Sequence, residues 1–261
     1  AILTLKVKLI HIFMLINTNF TSLNFSDRIK PIKYIIVHFT QMPFEAALSR
    51  LINAESEVSA HYLIKENGEI FQLVADNKIA WHAGESFWKG ESALNQNSIG
   101  IELDNLGDNK FSQEQINSCL NLSKTLVQKY GISLVNFIGH SDVAPERKID
   151  PGIFFDWKFF ANNDLGIWHD VSRLEHQELC HFGDKGDMIK RLQHNLAKLG
   201  YKIEESSEFD MQTNYVIRAF QSKFYPELLR QKGLNFFNDF GSIYSWDSVS
   251  EEMLARLILK Y

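Results

Sequence analysis

The sequence predicts an α/β domain followed by a small helical bundle, and three observations lead there. Ile32 to His38 (IKYIIVH) is a nearly continuous apolar run, the composition of a strand buried on both faces. From that run to about residue 160, strand-like and helix-like stretches alternate, as they do in α/β proteins. Beyond residue 185 the strong pattern is helical, with Ile189, Leu192, Leu196 and Leu199 forming one stripe in GDMIKRLQHNLAKLGY.

Each element has its own local cause. FEAALSRLI (44–52) has helical spacing at Phe44, Ala47, Leu48 and Leu51. AHYLIKENGEIFQLV (60–74) reads as a hairpin, with Asn67-Gly68 supplying the turn between two β-rich runs. NSIGIELDN (97–105) and LVNFIGH (134–140) are two further strands. Between them, SQEQINSCLNLSKTLVQKYG (112–131) opens on Ser112 as N-cap and closes on Gly131, which marks a helix. After residue 161 the periodicity fades into a linker. TNYVIRAFQSKFYPE and VSEEMLARLILKY then join GDMIKRLQHNLAKLGY to give three helices with a core of their own. The expected organisation is an N-terminal segment over 1–30, an α/β domain over 31–165, a linker over 166–184 and a helical domain over 185–261.

Composition narrows the partners. With 261 residues, 45% hydrophobic and 23% charged, the chain is an ordinary globular protein able to bury a core. Its net charge of −5 implies no basic face for phosphates, so no nucleic-acid partner is expected. Cys119 and Cys180 are far apart and lack CxxC spacing, which excludes a cysteine-built zinc site and leaves buried free thiols as the expectation. Near the N-terminus, Lys6 and Lys8 precede an apolar stretch from Leu9 to Ile16, interrupted by His11. This is the order of a secretory signal; an amphipathic element packed on the domain is the alternative.

Chemistry-bearing side chains gather where strands end. His38 closes IKYIIVH, His140 closes LVNFIGH, and Asp150 lies ten residues further on, in the charged loop GHSDVAPERKIDPG (139–152). Ends of adjacent strands are where α/β folds collect sites. Two histidines and a carboxylate are also a common ligand set for a catalytic zinc. Taken singly, a histidine is more often a hydrogen-bonded structural residue than a ligand. In SIGIEL, alternation puts Ile99, Ile101 and Leu103 on one face and Ser98, Gly100 and Glu102 on the other. A mid-strand carboxylate costs free energy unless water, a partner or a substrate meets it, and Gly100 would leave room for a ligand. A solvated sheet face is the competing reading of Glu102.

In this order, IIVHFT, SAHYLI, WHAGES with Trp88, SIGIELDN and GHSDVAPERKIDPG resemble the zinc-dependent N-acetylmuramoyl-L-alanine amidases of the AmpD/AmiD type. The resemblance runs over about residues 31 to 160, and the tail resembles a three-helix peptidoglycan-binding module. It implies a mixed central sheet flanked by helices, one Zn2+ held by His38, His140 and Asp150, and Glu102 as general base. It further implies Lys148 as a positive charge that, with zinc, stabilises the oxyanion of the cleaved amide between N-acetylmuramic acid and L-alanine; the competing role for Lys148 is an ion pair with Asp142 or Glu146. Trp81, His82 and Trp88 would line the cleft or else belong to the core. Arg147 would bind a stem-peptide carboxylate or remain solvated, and His61 would be structural or orient a ligand.

Two departures from the family pattern are Phe39, where tyrosine or serine is usual, and Asp156, where proline is. No Cys precedes Cys119, so no lipid-type membrane anchor is expected. The runner-up in function is a peptidoglycan recognition protein that binds without cutting; its members typically lose a zinc ligand, whereas His38, His140 and Asp150 are all present here. The expected partners are peptidoglycan and muropeptides, the expected assembly is a monomer, and the expected location is the envelope, periplasmic or secreted, with the cytoplasm as alternative.

Overall fold

In the computed structural model, residues 15–172, 176–233 and 243–261 are described. The lysines and most of the apolar run that read as a signal lie outside the described residues. The stretch from Ile16 to Asp27 packs on the domain. Strand β1 (Ile16–Asn17) pairs with the central sheet, and β2 (Phe25–Asp27) pairs antiparallel with β6 (Lys78–Ala80).

The apolar run forms β3 (Tyr34–Phe39), followed by α1 (Phe44–Ile52) with the four expected apolar residues buried. The predicted hairpin is β4 (Tyr62–Ile64) and β5 (Ile70–Gln72), with Gly68 at φ 85° closing the turn. Beyond β6, a short ribbon of β7 (Phe87–Trp88) and β8 (Glu91–Ser92) and a 3₁₀ turn (Leu94–Asn97) lead into β9 (Ser98–Leu103). Helix α2 (Gln113–Tyr130) has the predicted caps: Ser112 accepts from the Gln115 N–H, and Gly131 sits at φ 65°. The last strand of the sheet, β10 (Phe137–Gly139), is shorter than predicted, because Leu134–Asn136 form a 3₁₀ turn. The charged loop then opens with one helical turn, α3 (His140–Val143), and ends before α4 (Trp157–Asn162). Asp156, one of the two departures, caps α4 by accepting from the Phe159 N–H at 2.9 Å.

The central sheet has the order β1-β5-β4-β9-β3-β10 and is mixed, as expected. Strands β4, β9, β3 and β10 run parallel, and β5 runs antiparallel to β4. In β3, Ile35 and Val37 join Ile99, Ile101 and Leu103 of β9 in a core with Ile116, Leu120, Leu122 and Leu126 of α2. The opposite face carries Tyr34 and Ile36, and its cover comes from the far end of the chain.

That covering is β11 (Glu178–His181), α5 (Asp187–Leu199), α6 (Met211–Phe224), α7 (Pro226–Gln231), β12 (Ser245–Asp247) and α8 (Ser248–Lys260), with β11 and β12 paired antiparallel. The predicted C-terminal helical domain is present, but its core is continuous with that of the sheet rather than separate. Tyr34, Ile36, Ile138, Val143 and Trp88 pack in one continuous cluster with Leu196, Val216, Phe220, Trp246 and Leu254. The apolar stripe of α5 and the buried sides of α6 and α8 are satisfied partly by one another and partly by the sheet. Cys119 and Cys180 are free and buried. No helix among the described residues is long and apolar enough to cross a membrane.

Candidate active site

Register brings the chemistry together. On neighbouring parallel strands His38 pairs directly with Glu102, so both side chains leave the same face at the carboxyl ends of β3 and β9. β10 pairs with β3 up to Gly139↔Val37, which puts His140 one step on, beside His38. The chain then returns Asp150 to this corner, where the Ser141 N–H donates to the Asp150 carbonyl at 2.9 Å. Gly139 is required at this crossing, because a Cβ there would sit 2.8 Å from Pro151.

The three predicted ligand residues converge. The Nδ1 atoms of His38 and His140 lie 2.9 Å apart, and Asp150 Oδ2 is 3.1 Å from the first and 3.0 Å from the second. All three residues are buried. The His140 Nε2–H donates to the Ala83 carbonyl at 3.3 Å, so in the neutral ring Nδ1 keeps its lone pair. Burial, and then the adjacent His140, push the His38 imidazole down to about 4, so it is neutral near pH 7. Two imidazole nitrogens and one carboxylate oxygen, buried and turned toward a common point, fit a divalent cation.

Glu102 and Lys148 line the same cleft, whose volume is about 330 Å³. Glu102 Oε2 is inaccessible to solvent and has no hydrogen-bond partner among the described residues. Burial, and then the charge of Asp150, push the Glu102 carboxyl up to about 8, against a smaller opposing effect of Lys148. This is not a solvated sheet face. The ion pair weighed for Lys148 is also not formed with Asp142, whose Oδ2 accepts from Lys223 Nζ at 2.7 Å and whose Oδ1 accepts from the Tyr201 hydroxyl at 2.7 Å.

The remaining predicted residues separate. Trp81, His82 and Arg147 line the cleft. Arg147 Nη2 donates to the Ala83 carbonyl at 2.6 Å and also to the Glu85 carbonyl, which ties the loop bearing His140 and Asp150 to the segment carrying His82. Trp88 is corrected from cleft to core: it is 2% exposed and packs edge-on to Tyr201 at 5.0 Å, on the side that the C-terminal helices cover. His61 is buried behind the cleft, where the Gly100 N–H donates to its Nδ1 at 3.0 Å. Nor is the space over Gly100 left for a ligand. The His82 ring fills it, 2.4 Å from where a Cβ would stand.

Sequence reasoning missed Arg28, which it left in the N-terminal segment. Its guanidinium donates to the carbonyls of Asp76, Lys78, Gln96 and Ser98 and fastens the strand bearing Glu102 to β6. A single arginine in a polar stretch gives no signal of such a role. Ser98 and Asp142 were visible as residues, but their partners, His82 and Lys223, are distant in the chain.

Comparison with known proteins agrees with this arrangement. The family model of N-acetylmuramoyl-L-alanine amidase matches residues 28–153, and that of a peptidoglycan binding domain matches residues 185–227. The chain is 35% identical over 213 residues to the N-acetylmuramoyl-L-alanine amidase AmiD of Escherichia coli (strain K12), covering 76% of each chain. It is 41% identical over 118 residues to the 1,6-anhydro-N-acetylmuramyl-L-alanine amidase AmpD of Enterobacter cloacae, covering 45% of this chain and 60% of that one. A solved structure of E. coli AmiD, in complex with the substrate anhydro-N-acetylmuramic acid-L-Ala-D-gamma-Glu-L-Lys, superposes with a TM-score of 0.73 at 30% identity over 88% of this chain and 90% of that one. Pseudomonas aeruginosa AmpDh3 in complex with anhydromuramic pentapeptide gives a TM-score of 0.70 at 28% identity, over 89% and 93%. With its fold, its motifs and most of its length shared with these enzymes, the chain belongs to the N-acetylmuramoyl-L-alanine amidase family.

Proposed function

We propose that this protein hydrolyses the amide bond between N-acetylmuramic acid and L-alanine in peptidoglycan or muropeptides, using one zinc ion held by His38, His140 and Asp150. The observation that carries the reading is the convergence of those three ligand atoms and, in the same cleft, the buried and unpartnered Oε2 of Glu102. A recognition protein that only binds wall fragments has no use for a buried carboxyl oxygen without a partner, which costs free energy until a proton donor meets it.

When bound, the ion supplies Lewis acidity, which polarises a carbonyl and acidifies water, and a positive charge that draws the Glu102 pKa back down. Glu102 removes a proton from the attacking water and later delivers it to the nitrogen of L-alanine as the C–N bond breaks. Burial favours its protonated form, which suits holding the proton between the two transfers. Lys148, which also lines the cleft, offers a compact positive charge to the oxyanion that develops on the carbonyl oxygen. Trp81 presents its ring to the sugar or the apolar part of the stem.

The peptidoglycan-binding match over residues 185–227 supports a wall-bound setting, and we propose an envelope location, periplasmic or secreted. The proposed assembly is a monomer. The activity is tested by incubating the protein with a muramyl-peptide and assaying the free amine by mass, for the wild type and Glu102→Ala, with bound zinc quantified for each. The expected result is release of a peptide beginning with L-alanine by the wild type, and its loss in a variant still holding one zinc. Zinc and ligand binding by a wild type that cleaves nothing would favour the recognition protein instead.

A further inference from the structure

The ring of His82 sits in a slot. It is 5.1 Å from His38 and 5.6 Å from His61, edge-on to both, with Gly100 beneath it. Both of its nitrogens are engaged. His82 Nδ1 is 3.0 Å from His38 Nε2, and His82 Nε2 is 3.1 Å from Ser98 Oγ. Ser98 Oγ is in turn 2.6 Å from the Leu94 carbonyl oxygen.

The direction of this chain is set by its last member. A carbonyl oxygen only accepts, so the Ser98 hydroxyl hydrogen points to Leu94. Ser98 Oγ therefore accepts from the His82 Nε2–H. The neutral His82 ring then has a bare Nδ1, which accepts from the His38 Nε2–H, and His38 is left with its lone pair on Nδ1. That is the atom turned toward His140 Nδ1 and Asp150 Oδ2.

We infer that His82 and Ser98 are positioning residues for the metal site: the relay Leu94 carbonyl–Ser98–His82 imposes the Nε2–H tautomer on His38 and so makes Nδ1 its ligand atom. The second histidine is set independently, by the Ala83 carbonyl on its Nε2. The adjacent Ala83 and His82 thus fix both imidazoles, one through a backbone oxygen and one through a ring. A residue that donates to or accepts from the far nitrogen of a ligating histidine fixes its tautomer and orientation, and losing one typically costs about 10- to 100-fold in metal affinity. His82 lines the cleft, yet its two ring nitrogens face His38 and Ser98 and leave no ring hydrogen-bonding atom for a substrate.

This inference rests on the reading of His38 as a metal ligand, and the test separates the two. In the full-length zinc-free protein with ¹⁵N-labelled histidine, long-range proton–nitrogen correlations are expected to show His38 protonated at Nε2. Zinc affinity, from competition with a chromophoric chelator, is expected to fall about 10- to 100-fold in His82→Ala and to fall in Ser98→Ala, which keeps the ring. In both variants the His38 tautomers should mix. His82→Asn, whose amide oxygen can still accept from His38, should recover most of the affinity. A wild-type His38 protonated at Nδ1, or a His82→Ala variant that binds zinc like the wild type, overturns the relay. If His140→Ala also leaves zinc affinity intact, the metal site itself is misassigned; if it abolishes binding while His82→Ala does not, the relay alone fails.

Discussion

Replacing Lys223 by methionine should loosen the metal loop from 81 residues away in sequence. Lys223 Nζ lies 2.7 Å from Asp142 Oδ2, with side chains 4% and 1% exposed, and 4.3 Å from the Trp157 ring centroid. Methionine matches the volume and keeps the apolar contact, but it strands the Asp142 carboxylate. Breaking a buried pair on one side costs about 3–5 kcal/mol. Here the Gly139 N–H at 2.8 Å and the Tyr201 hydroxyl at 2.7 Å still serve the carboxylate, which argues for the lower end, about 3 kcal/mol. For a chain of this size that is a fall in Tm of roughly 6–12 °C. Asp142 is two residues from His140, so the strain falls on the metal loop, and zinc affinity should drop as well. The assay is urea unfolding together with chelator competition, for Lys223→Met, Asp142→Asn and the double variant. A double-mutant cycle isolates the pair: Asp142→Asn should be less harmful in the Lys223→Met background, since no charge is then stranded. A Lys223→Met midpoint equal to the wild type's would refute the reasoning, because the junction would then owe nothing to this pair.

Two other outcomes are set by the site's surroundings. His61 is held neutral: burial, then the Arg28 charge, push it down to about 3, while the unfolded value is about 6.5. Its folded pKa lies below its unfolded one, so its stabilising contribution is complete above about pH 6.5 and is lost as pH falls toward 3, at up to about 1.4 kcal/mol per pH unit. Unfolding free energies from pH 7 to pH 4 should therefore fall less steeply in His61→Gln than in the wild type; parallel slopes would contradict the neutral, buried histidine. Trp88→Ala should destabilise the fold by about 3–5 kcal/mol while leaving KM for muramyl-peptides near the wild-type value, whereas Trp81→Ala should raise KM with little loss of stability; the reverse pattern would return Trp88 to the cleft.

Much of the fold was legible because its causes are local. Ser112 and Gly131 end α2 through their own side-chain and backbone chemistry, and the SIGIEL alternation sorts Ile99, Ile101 and Leu103 from Ser98, Gly100 and Glu102 whatever the neighbours are. The ligand residues were legible for a related reason: strand ends are marked by where apolar runs stop. Less visible were the contacts that cross long sequence separations. Glycine at position 100 signals close approach, but not whether a ligand or a side chain approaches, and His82 proved to be the occupant. Trp88 has the same composition signal in a cleft as in a core, and only Tyr201, brought by the C-terminal segment, decides it. Strands β11 and β12, distant in sequence but paired at Cys180↔Trp246, carry too few residues to show a period of two.

The C-terminal segment is more than a tether. A wall-binding module on a flexible linker raises effective concentration and leaves the enzyme's own stability alone. Here the apolar face of β3 and β10 that it covers, with Tyr34, Ile36 and Ile138, would otherwise be open to water, and Arg218 Nη2 donates to the Pro145 carbonyl within the metal loop at 2.5 Å. Arg230 Nη1 reaches the Ile153 carbonyl at the loop's far end, at 2.7 Å. Lys223, Tyr201, Arg218 and Arg230 thus hold the stretch between His140 and α4 at three places, Asp142, Pro145 and Ile153. A loop bearing two of three proposed ligands gains rigidity from such clamps, and rigidity at a metal site means less entropy to lose on binding the ion. The segment that matches a peptidoglycan binding domain and the cleft with its proposed ligands are then linked through one packed core, and variants at the junction should alter stability and zinc affinity together.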